Sequence, residues 1–265
     1  MNISLFQVDA FTNTPFKGNP AAVCVRDTAL DESLMQSIAN EMNLAETAFV
    51  MPGENGSWNL RWFTPLTEVD LCGHATLASA HVLFERGYAE ADATIRFQTK
   101  SGELQVRRDG DTMLEMVFPS EPANQGFALE LIENAIQTIC SFHGANRMDA
   151  IAEVEDETVL RELKPDMSAI AALPVRGLIV TAAADDSSLD FVSRFFAPQC
   201  GVPEDPVTGS AHCCLAPYWA AKLGKTRLKG RQISARGGNV EVELSGDRVI
   251  LRGEAITIMT AEIVL

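Results

Sequence analysis

The sequence predicts an α+β protein made of two pseudo-symmetric halves, each an antiparallel or mixed sheet rolled around one central helix. Two observations carry this prediction: an internal repeat, and in each half an apolar, Ala-rich helical segment followed by alternating strand patterns. The chain has 265 residues, of which 46% are hydrophobic. That is enough apolar material for a sizeable core in one large or two small domains.

The internal repeat begins with a motif that reads Arg, aromatic, Phe, small residue, Pro. It occurs at residues 61–65 and again at 194–198. A second pair of motifs contains Gly73 and Gly209, which stand 136 positions apart, and further matches downstream keep that offset. Matching features in one order at nearly one offset indicate that the same structural unit occurs twice.

The predicted helices follow from apolar periodicity and from glycine stops. Residues 74–86 and 210–223 come directly after the two repeated glycines and are rich in Ala and Leu, which predicts helices buried inside their halves. Residues 31–42 place apolar side chains on one stripe behind Asp31, a favourable N-cap. A further helix is expected around residues 127–141.

Strands are predicted where apolar and polar residues alternate between Gly-containing turns. These segments are 60–64, 94–99, 103–108 and 112–118, then 193–197, 231–236, 239–244, 248–252 and 256–259. We place the first half at residues 1–119 and the second at 120–265, with about 120–172 as a connector whose acidic part, 149–168, is expected at the surface. Two such halves, related by a pseudo-twofold axis, would place an active-site cleft between them.

Charge and composition exclude several classes of partner. Asp and Glu number 36 against 21 Lys and Arg, and the formal charge of −15 argues against nucleic acid or an anionic membrane. There is no apolar run of about 18 residues that predicts a membrane span, and no signal peptide is expected. The six cysteines form no CxxC pair and match no zinc pattern, so we expect no metal and a reduced, cytoplasmic protein.

Several motifs typical of cofactor binding or of hydrolytic catalysis do not occur in the sequence, which limits the reactions to be expected. The sequence has no dinucleotide-binding or P-loop glycine pattern, no HExxH and no GxSxG, and no lysine stands in a site motif. Chemistry without a cofactor, or simple binding, is therefore expected. The turns at Gly73 and Gly209 are the best candidates for a site, because a helix N-terminus presents backbone N–H groups to a carboxylate or an enolate-like intermediate. The alternative is that both glycines only allow close packing of a strand and a helix.

Polar residues surround both glycine turns. They are Asp70, Cys72 and His74 in the first half, and Glu204, Asp205, Thr208, Ser210 and His212 in the second. Close packing alone does not need these side chains, which favours a functional interpretation of the turns. By contrast, Glu46 stands between a helix and an apolar strand, and its local pattern alone indicates a solvated residue at a helix end.

Several motifs resemble those of the PhzF-like phenazine-biosynthesis isomerase family. They are found at residues 6–11, 18–23, 43–50, 70–76 and 204–212, and they span the whole chain. That family is similar in fold to diaminopimelate epimerase, in which two α+β halves hold the active site between them. The resemblance implies this fold and a homodimer.

The resemblance also implies a cofactor-independent isomerase that acts on a small carboxylated metabolite. In such enzymes a Glu at the position of Glu46 moves a proton between carbons of a dihydro-hydroxy aromatic acid, first as base and then as acid, which requires a raised pKa. His74 and Asp205 would position the polar groups of the substrate or relay protons. The implied substrate-binding residues are Gly73, Gly209, Ser210, Asp70 and Cys72.

Two other functions stay open on the sequence. Related epimerases use two facing cysteines, but the position that matches Cys72 in the second half is Thr208. A cysteine-based amino-acid racemase or epimerase would therefore need Cys213 or Cys214 as its second thiol. The other alternative is a metabolite-binding protein without catalytic turnover.

Overall fold

The computed structural model describes residues 2–264, which form two compact units. Unit 1 comprises the described residues 2–117 and 252–264, and unit 2 comprises Phe118–Leu251. The sequence-based boundary at 119/120 lies close to the first crossing between units. It does not anticipate that the end of the chain returns to the first unit, where the last strand pairs with the first one.

Two α-helices lie in the described part of unit 1. They are α1 (Glu32–Met42) and α2 (Gly73–Glu85). Its strands up to the crossing are β1 (Asn2–Ala10), β2 (Asn19–Val25), β3 (Glu46–Pro52), β4 (Trp58–Phe63), β5 (Glu68–Val69), β6 (Ile95–Thr99), β7 (Gly102–Asp109) and β8 (Met113–Pro119), the last of which crosses the boundary between units.

Unit 2 contains four helices among the described residues. They are α3 (Leu129–Ile136), α4 (Glu157–Glu162), α5 (Met167–Ala171) and α6 (Gly209–Leu223). The strands of the second part of the chain are β9 (Asn124–Gln125), β10 (Phe142–Ala145), β11 (Asp149–Glu153), β12 (Gly177–Ala183), β13 (Phe191–Phe196), β14 (Arg227–Gln232), β15 (Gly238–Ser245), β16 (Arg248–Gly253) and β17 (Ala255–Val264). Of these, β16 crosses back into unit 1 and β17 lies within it.

The strand pairing of unit 1 recurs in unit 2. In unit 1, β2 runs parallel to β3, β3 antiparallel to β4, β4 parallel to β6, and β6 antiparallel to β7. In unit 2, β11 runs parallel to β12, β12 antiparallel to β13, β13 parallel to β14, and β14 antiparallel to β15. The long central helix stands at the same point of each series, after β4 or β13. This common topology confirms the repeat and the mixed α+β fold that the sequence predicts.

Both central helices are buried, as their composition predicts. Within α2, every residue from His74 to Phe84 except His81 is buried, and the helix packs against β1, β2 and β3. The helix α6 packs against β14 and β15 and ends at Gly224, whose positive φ of 68° suits a glycine cap. A helix that is apolar around its whole circumference is stable only when other elements surround it.

The acidic stretch 149–168, which the sequence places at the surface, is partly buried. Strand β11 lies inside the sheet between β10 and β12, and all of its residues are buried, including Asp149 and Glu153 from the stretch expected at the surface. These carboxylates have cationic partners, because Arg176 binds Asp149 and Lys222 binds Glu153. An acidic residue can be buried when a cation and hydrogen bonds compensate its charge.

Smaller differences concern the ends of elements. Helix α3 stops at Ile136 because Gln137 adopts the left-handed conformation, so it is shorter than the predicted 127–141. Strand β14 begins before the predicted 231–236, and β17 extends beyond the predicted 256–259. None of the helices formed by residues 2–264 combines the length and the apolar character that a membrane span requires.

A core substitution in α2 tests the burial of this helix. Leu77 is fully buried, so we expect Leu77→Ala to lower the free energy of unfolding by about 2–5 kcal/mol through lost contacts and a residual cavity. Leu66, which is 83% exposed, is the control, and Leu66→Ala should change stability by less than about 0.5 kcal/mol. Urea unfolding followed by circular dichroism measures both, and equal costs for the two variants would contradict the burial.

Candidate functional site

Three elements of unit 1 bring together the first group of polar residues. Glu46 is the first residue of β3 and pairs in register with Ala21 of β2, the strand that begins at Asn19. His74 lies in the first turn of α2, which packs against both strands. The amide Nδ2 of Asn19 lies 3.3 Å from His74 Nδ1, and Glu46 Oε2 lies 3.2 Å from His74 Nε2. The imidazole ring therefore stands between an amide and a carboxylate.

These contacts indicate which ring nitrogen of His74 carries the proton. The Nδ2 amide of Asn19 only donates hydrogen bonds, so His74 Nδ1 accepts, and the proton of the neutral ring is on Nε2. Nε2–H thus lies beside the Glu46 carboxylate. The two atoms are close without the alignment of a hydrogen bond, which leaves Nε2–H able to donate to a molecule bound at this point.

Burial keeps His74 neutral. The side chain is almost completely enclosed, and desolvation lowers the pKa of His74 to about 3. At neutral pH the ring is therefore an uncharged donor, and the interaction with Glu46 is not an ion pair between two full charges.

Cys72 completes this group. It is buried at the N-cap of α2, and its Sγ lies 3.5 Å from His74 Nδ1. The ligand atoms of Glu46, Cys72 and His74 all lie within 4.8 Å of one another. This set of carboxylate, thiol and imidazole groups could hold a divalent cation such as Zn²⁺, which accepts all three ligand types.

The starts of α2 and α6 leave backbone donors available. Among the described residues, neither N-cap side chain, Cys72 or Thr208, accepts a hydrogen bond from the first turn of its helix. Gly73 and Gly209 are the first helical residues in each case. N–H groups in this position attract anions. Asp70, by contrast, is exposed, and its backbone carbonyl accepts a hydrogen bond from Ser101.

Unit 2 holds a second polar group before α6. Thr208 donates its hydroxyl proton to Asp205, and its backbone N–H donates to Gln232 Oε1 at 2.9 Å. Gln232 is fully buried and also donates to the Asp205 carbonyl at 2.6 Å. Asp205 and Gln232 therefore fix the turn that leads into Gly209.

Ser210 follows this turn and is held by Arg176. The Nη2 group of Arg176 donates to Ser210 Oγ at 2.8 Å, and Nε and Nη2 of the same guanidinium form a bidentate pair with the buried Asp149. Burial raises the pKa of Asp149, and the Arg176 guanidinium opposes that shift. Because Ser210 Oγ already accepts from Arg176, its hydroxyl proton is directed away from the guanidinium and can be donated to a ligand.

His212 and the cysteines of α6 have structural environments. His212 is fully buried, and its Nδ1 donates to the Thr208 carbonyl at 2.8 Å. In α2 the equivalent bond is made by Thr76, whose hydroxyl donates to the Cys72 carbonyl at 2.6 Å. Burial raises the pKa of Cys214 to about 12 and raises the pKa of Cys213 still further, so neither thiol ionises readily.

The sequence names Cys72 and His74 beside a glycine turn and Glu46 through the family resemblance, but it does not name three residues that contact predicted site residues. Asn19, which contacts His74, lies in one of the quoted motifs, and no local signal links it to a histidine. Arg176 and Gln232 lie on or beside strands that carry no recognisable motif, and only the tertiary structure reveals their contacts with Ser210 and Thr208.

Comparisons with known proteins place these groups in context. The family model described as phenazine biosynthesis-like protein, PhzC-PhzF, matches residues 8–261. The chain is 49% identical to an uncharacterized isomerase of Halalkalibacterium halodurans, and the match covers 100% of both chains. It is also similar to the crystal structure of a PhzF-family phenazine biosynthesis protein from Enterococcus faecalis, with 43% identity, a TM-score of 0.95 and full coverage of both chains.

A more distant likeness concerns the fold alone. A hydroxyproline epimerase from Agrobacterium vitis is 12% identical and has a TM-score of 0.64, with 99% of this chain and 92% of that chain covered. This agrees with the epimerase-like architecture that the sequence predicts.

The buried histidines should make the protein sensitive to acid. His74 and His212 have pKa values lowered from 6.5 to about 3 and about 4, so the unfolded state binds protons that the folded state does not. The contribution of these two histidines to the free energy of unfolding is fully present above about pH 6.5 and is lost as the pH falls towards their folded-state pKa values of about 3 and about 4. We expect the free energy of unfolding to fall less steeply with decreasing pH in His74→Asn than in wild type. The difference in slope should be about 1.4 kcal/mol per pH unit between about pH 6 and pH 4.

Urea unfolding of wild type and His74→Asn at several pH values measures this difference. The comparison between variants cancels the contribution of the carboxylates, which also titrate in this range. Parallel stability curves would show that His74 does not resist protonation in the folded state.

Proposed function

This chain belongs to the phenazine biosynthesis-like PhzF family of isomerases, and from that premise we propose that it moves a proton between two carbons of a small carboxylated metabolite. The observation that carries the proposal is the position of Glu46 at 3.2 Å from the neutral imidazole of His74. A partly buried carboxylate beside an uncharged donor can both accept and return a proton.

The proposed reaction uses Glu46 twice. Its carboxylate removes a proton from a carbon activated by the substrate, and the electron pair of the broken C–H bond passes into a conjugated, enolate-like anion. The protonated Glu46 then donates the same proton to a second carbon, and its carboxylate is regenerated. No electrons enter or leave, so the step needs no redox partner.

His74 acts as a positioning group in this scheme. Its Nε2–H lies beside Glu46 Oε2, so it can hold the carboxylate during the first step or donate to a substrate oxygen. Asn19 fixes the ring through Nδ1. A neutral donor suits both stages, because an imidazolium would favour the ionised form of Glu46 and hinder the return of the proton.

Backbone and hydroxyl donors would bind the anionic parts of the substrate. The N–H groups at Gly73 and Gly209 and the Ser210 hydroxyl are the candidates, and Arg176 and Asp205 keep the second set in place. Preorganised donors of this kind contribute about 3–4 kcal/mol each to charge stabilisation in known oxyanion sites.

Cys72 gives weaker support to a second candidate function, that of a two-base racemase. Its Sγ is 3.5 Å from a histidine nitrogen, an arrangement that can activate a thiol. A two-base racemase needs a second acid–base group, however, and Thr208 occupies the N-cap that corresponds to Cys72. The high pKa values of Cys213 and Cys214 argue against either as a replacement.

Replacement of the Glu46 carboxylate tests the proposed role. We expect Glu46→Gln to lower the rate of isomerisation of a dihydro-hydroxy aromatic acid by about 10²–10⁴-fold, because an amide cannot shuttle the proton. Proton NMR in deuterated water follows both product formation and deuterium entry at carbon.

Glu41→Gln is the matched control, because Glu41 is exposed on α1 and should leave the rate unchanged. Undiminished exchange in Glu46→Gln would remove this carboxylate from the mechanism. Exchange that is lost after alkylation of Cys72, and protected by substrate, would favour the thiol-based alternative.

Metal removal tests the proposed independence from cofactors. We expect dialysis against EDTA to leave turnover unchanged, because Glu46 and His74 perform the proton transfer alone. Added Zn²⁺ should inhibit, since it would compete for the three side chains that lie within 4.8 Å of one another. Loss of activity on chelation, restored by Zn²⁺, would contradict the proposal.

A further inference from the structure

The repeated motif of Arg, aromatic, Phe, small residue and Pro has no role in the reaction proposed above, although each copy precedes a glycine turn in the chain. In both units the arginine is the fourth residue of its strand, Arg61 in β4 and Arg194 in β13. Each guanidinium lies over the ring of the Phe two positions later, with Cζ 5.1 Å from the ring centre of Phe63 and 4.9 Å from that of Phe196. The two units therefore carry the same cation–π pair at the end of the same strand.

Each of these arginines also forms a bidentate ion pair with a glutamate that precedes the glycine turn. Nε and Nη2 of Arg61 donate to the two carboxylate oxygens of Glu68, both at 2.7 Å. Nε and Nη2 of Arg194 donate to the two carboxylate oxygens of Glu204, at 2.8 Å and 3.0 Å. The planar guanidinium fork matches both oxygens at once, so each arginine–glutamate pair fixes an orientation as well as a distance.

The arginine–glutamate pair is retained although the two loops differ in length. The glutamate follows its arginine by seven positions in unit 1 and by ten positions in unit 2. Unit 2 accommodates the additional residues with the short 3₁₀ turn Pro198–Cys200. Glu68 and Glu204 nevertheless both stand five positions before the glycine of their turn, Gly73 or Gly209. The spacing from glutamate to turn is thus the constant feature, which indicates that the pair serves the turn and not the loop before it.

In unit 2 a series of hydrogen bonds joins the ion pair to the turn. Glu204 is followed by Asp205, whose backbone N–H donates to the Phe195 carbonyl at 3.0 Å. The carboxylate of Asp205 accepts the hydroxyl proton of Thr208, which is the N-cap directly before Gly209. The ion pair therefore anchors the residue that holds the N-cap of α6.

In unit 1 the connection runs through the short strand β5. Glu68 and Val69 form this strand, and Val69 lies opposite Trp62 of β4. Three residues after Val69 the chain reaches Cys72, the N-cap of α2. Lys100 also binds Glu68, so this carboxylate has cationic partners on two sides. The ion pair thus fixes the strand from which the chain enters α2.

We propose that the two arginine–glutamate pairs are positioning groups, which hold the chain ahead of α2 and α6 so that the N–H groups of Gly73 and Gly209 can bind the anionic parts of a carboxylate substrate. This inference rests on the proposed function. A helix N-terminus binds an anion through free N–H groups that point towards it, so the path by which the chain enters the helix matters. The arginines act through the glutamates and need no contact with the substrate.

Titration of the full chain with benzoate, an unreactive carboxylate, tests the positioning role. Amide NMR signals of Gly73 and Gly209 report the binding. We expect Glu68→Gln to weaken binding about fivefold at Gly73, and Glu204→Gln to do the same at Gly209, because each turn loses its fixed orientation. A role in stability alone would lower the midpoint of thermal unfolding and leave the dissociation constant of the folded protein unchanged.

Glu241→Gln is the matched control. Glu241 Oε2 lies 3.2 Å from Arg227 Nη2 in an ion pair between β14 and β15, and both residues follow α6 in the chain. Its loss should leave benzoate binding unchanged. Arg61→Lys keeps the positive charge but not the bidentate fork, so it should weaken binding at Gly73 as Glu68→Gln does.

Equal benzoate binding by wild type and by the Glu68→Gln or Glu204→Gln variant, including no binding by either protein, overturns the inference for that unit. Equal weakening by Glu241→Gln overturns it for both units. Because benzoate is not turned over, its binding is measured independently of proton transfer by Glu46. A failure of the proposed function, seen as undiminished exchange in Glu46→Gln, is therefore distinguishable from a failure of the positioning role.

Discussion

A buried, neutral imidazole is the constraint on which the candidate site of unit 1 depends. His74 lies in the first turn of a helix that is buried along nearly its whole length, and its two ring nitrogens face Asn19 and Glu46. Desolvation and the positive end of the helix dipole both disfavour a charged ring at this point. The histidine is thereby restricted to donating or accepting hydrogen bonds, and in the proposed function Glu46 is the group that exchanges a proton.

The repeated scaffold carries different chemistry at equivalent positions. The N-cap is Cys72 in α2 and Thr208 in α6, and the second helical residue is His74 in α2 and Ser210 in α6. The fourth residue after each cap closes the first turn in both helices, Thr76 in α2 and His212 in α6. The same backbone geometry thus supports a neutral imidazole in unit 1 and a hydroxyl donor held by Arg176 in unit 2.

The division into two similar units, each with a buried central helix, can be predicted from the sequence. The repeat of Arg, aromatic, Phe, small residue, Pro and the glycines at 73 and 209 predict the two units and their central helices, because helix burial and strand alternation leave local patterns. Glu46 shows no local signal and is indicated only by family resemblance. The burial of β11 was not predictable, because the compensation of Asp149 by Arg176 depends on residues distant in the chain. The contact of Asn19 with His74 is long-range for the same reason.

The protonation state of His74 is the most direct test of this account. Nitrogen-15 NMR of the imidazole groups at neutral pH reports both the charge and the tautomer of each ring. We expect His74 to be uncharged, with its proton on Nε2 and its Nδ1 accepting, and to remain so well below pH 6.5. An imidazolium at neutral pH, or a proton on Nδ1, would contradict the arrangement in which a neutral His74 serves Glu46.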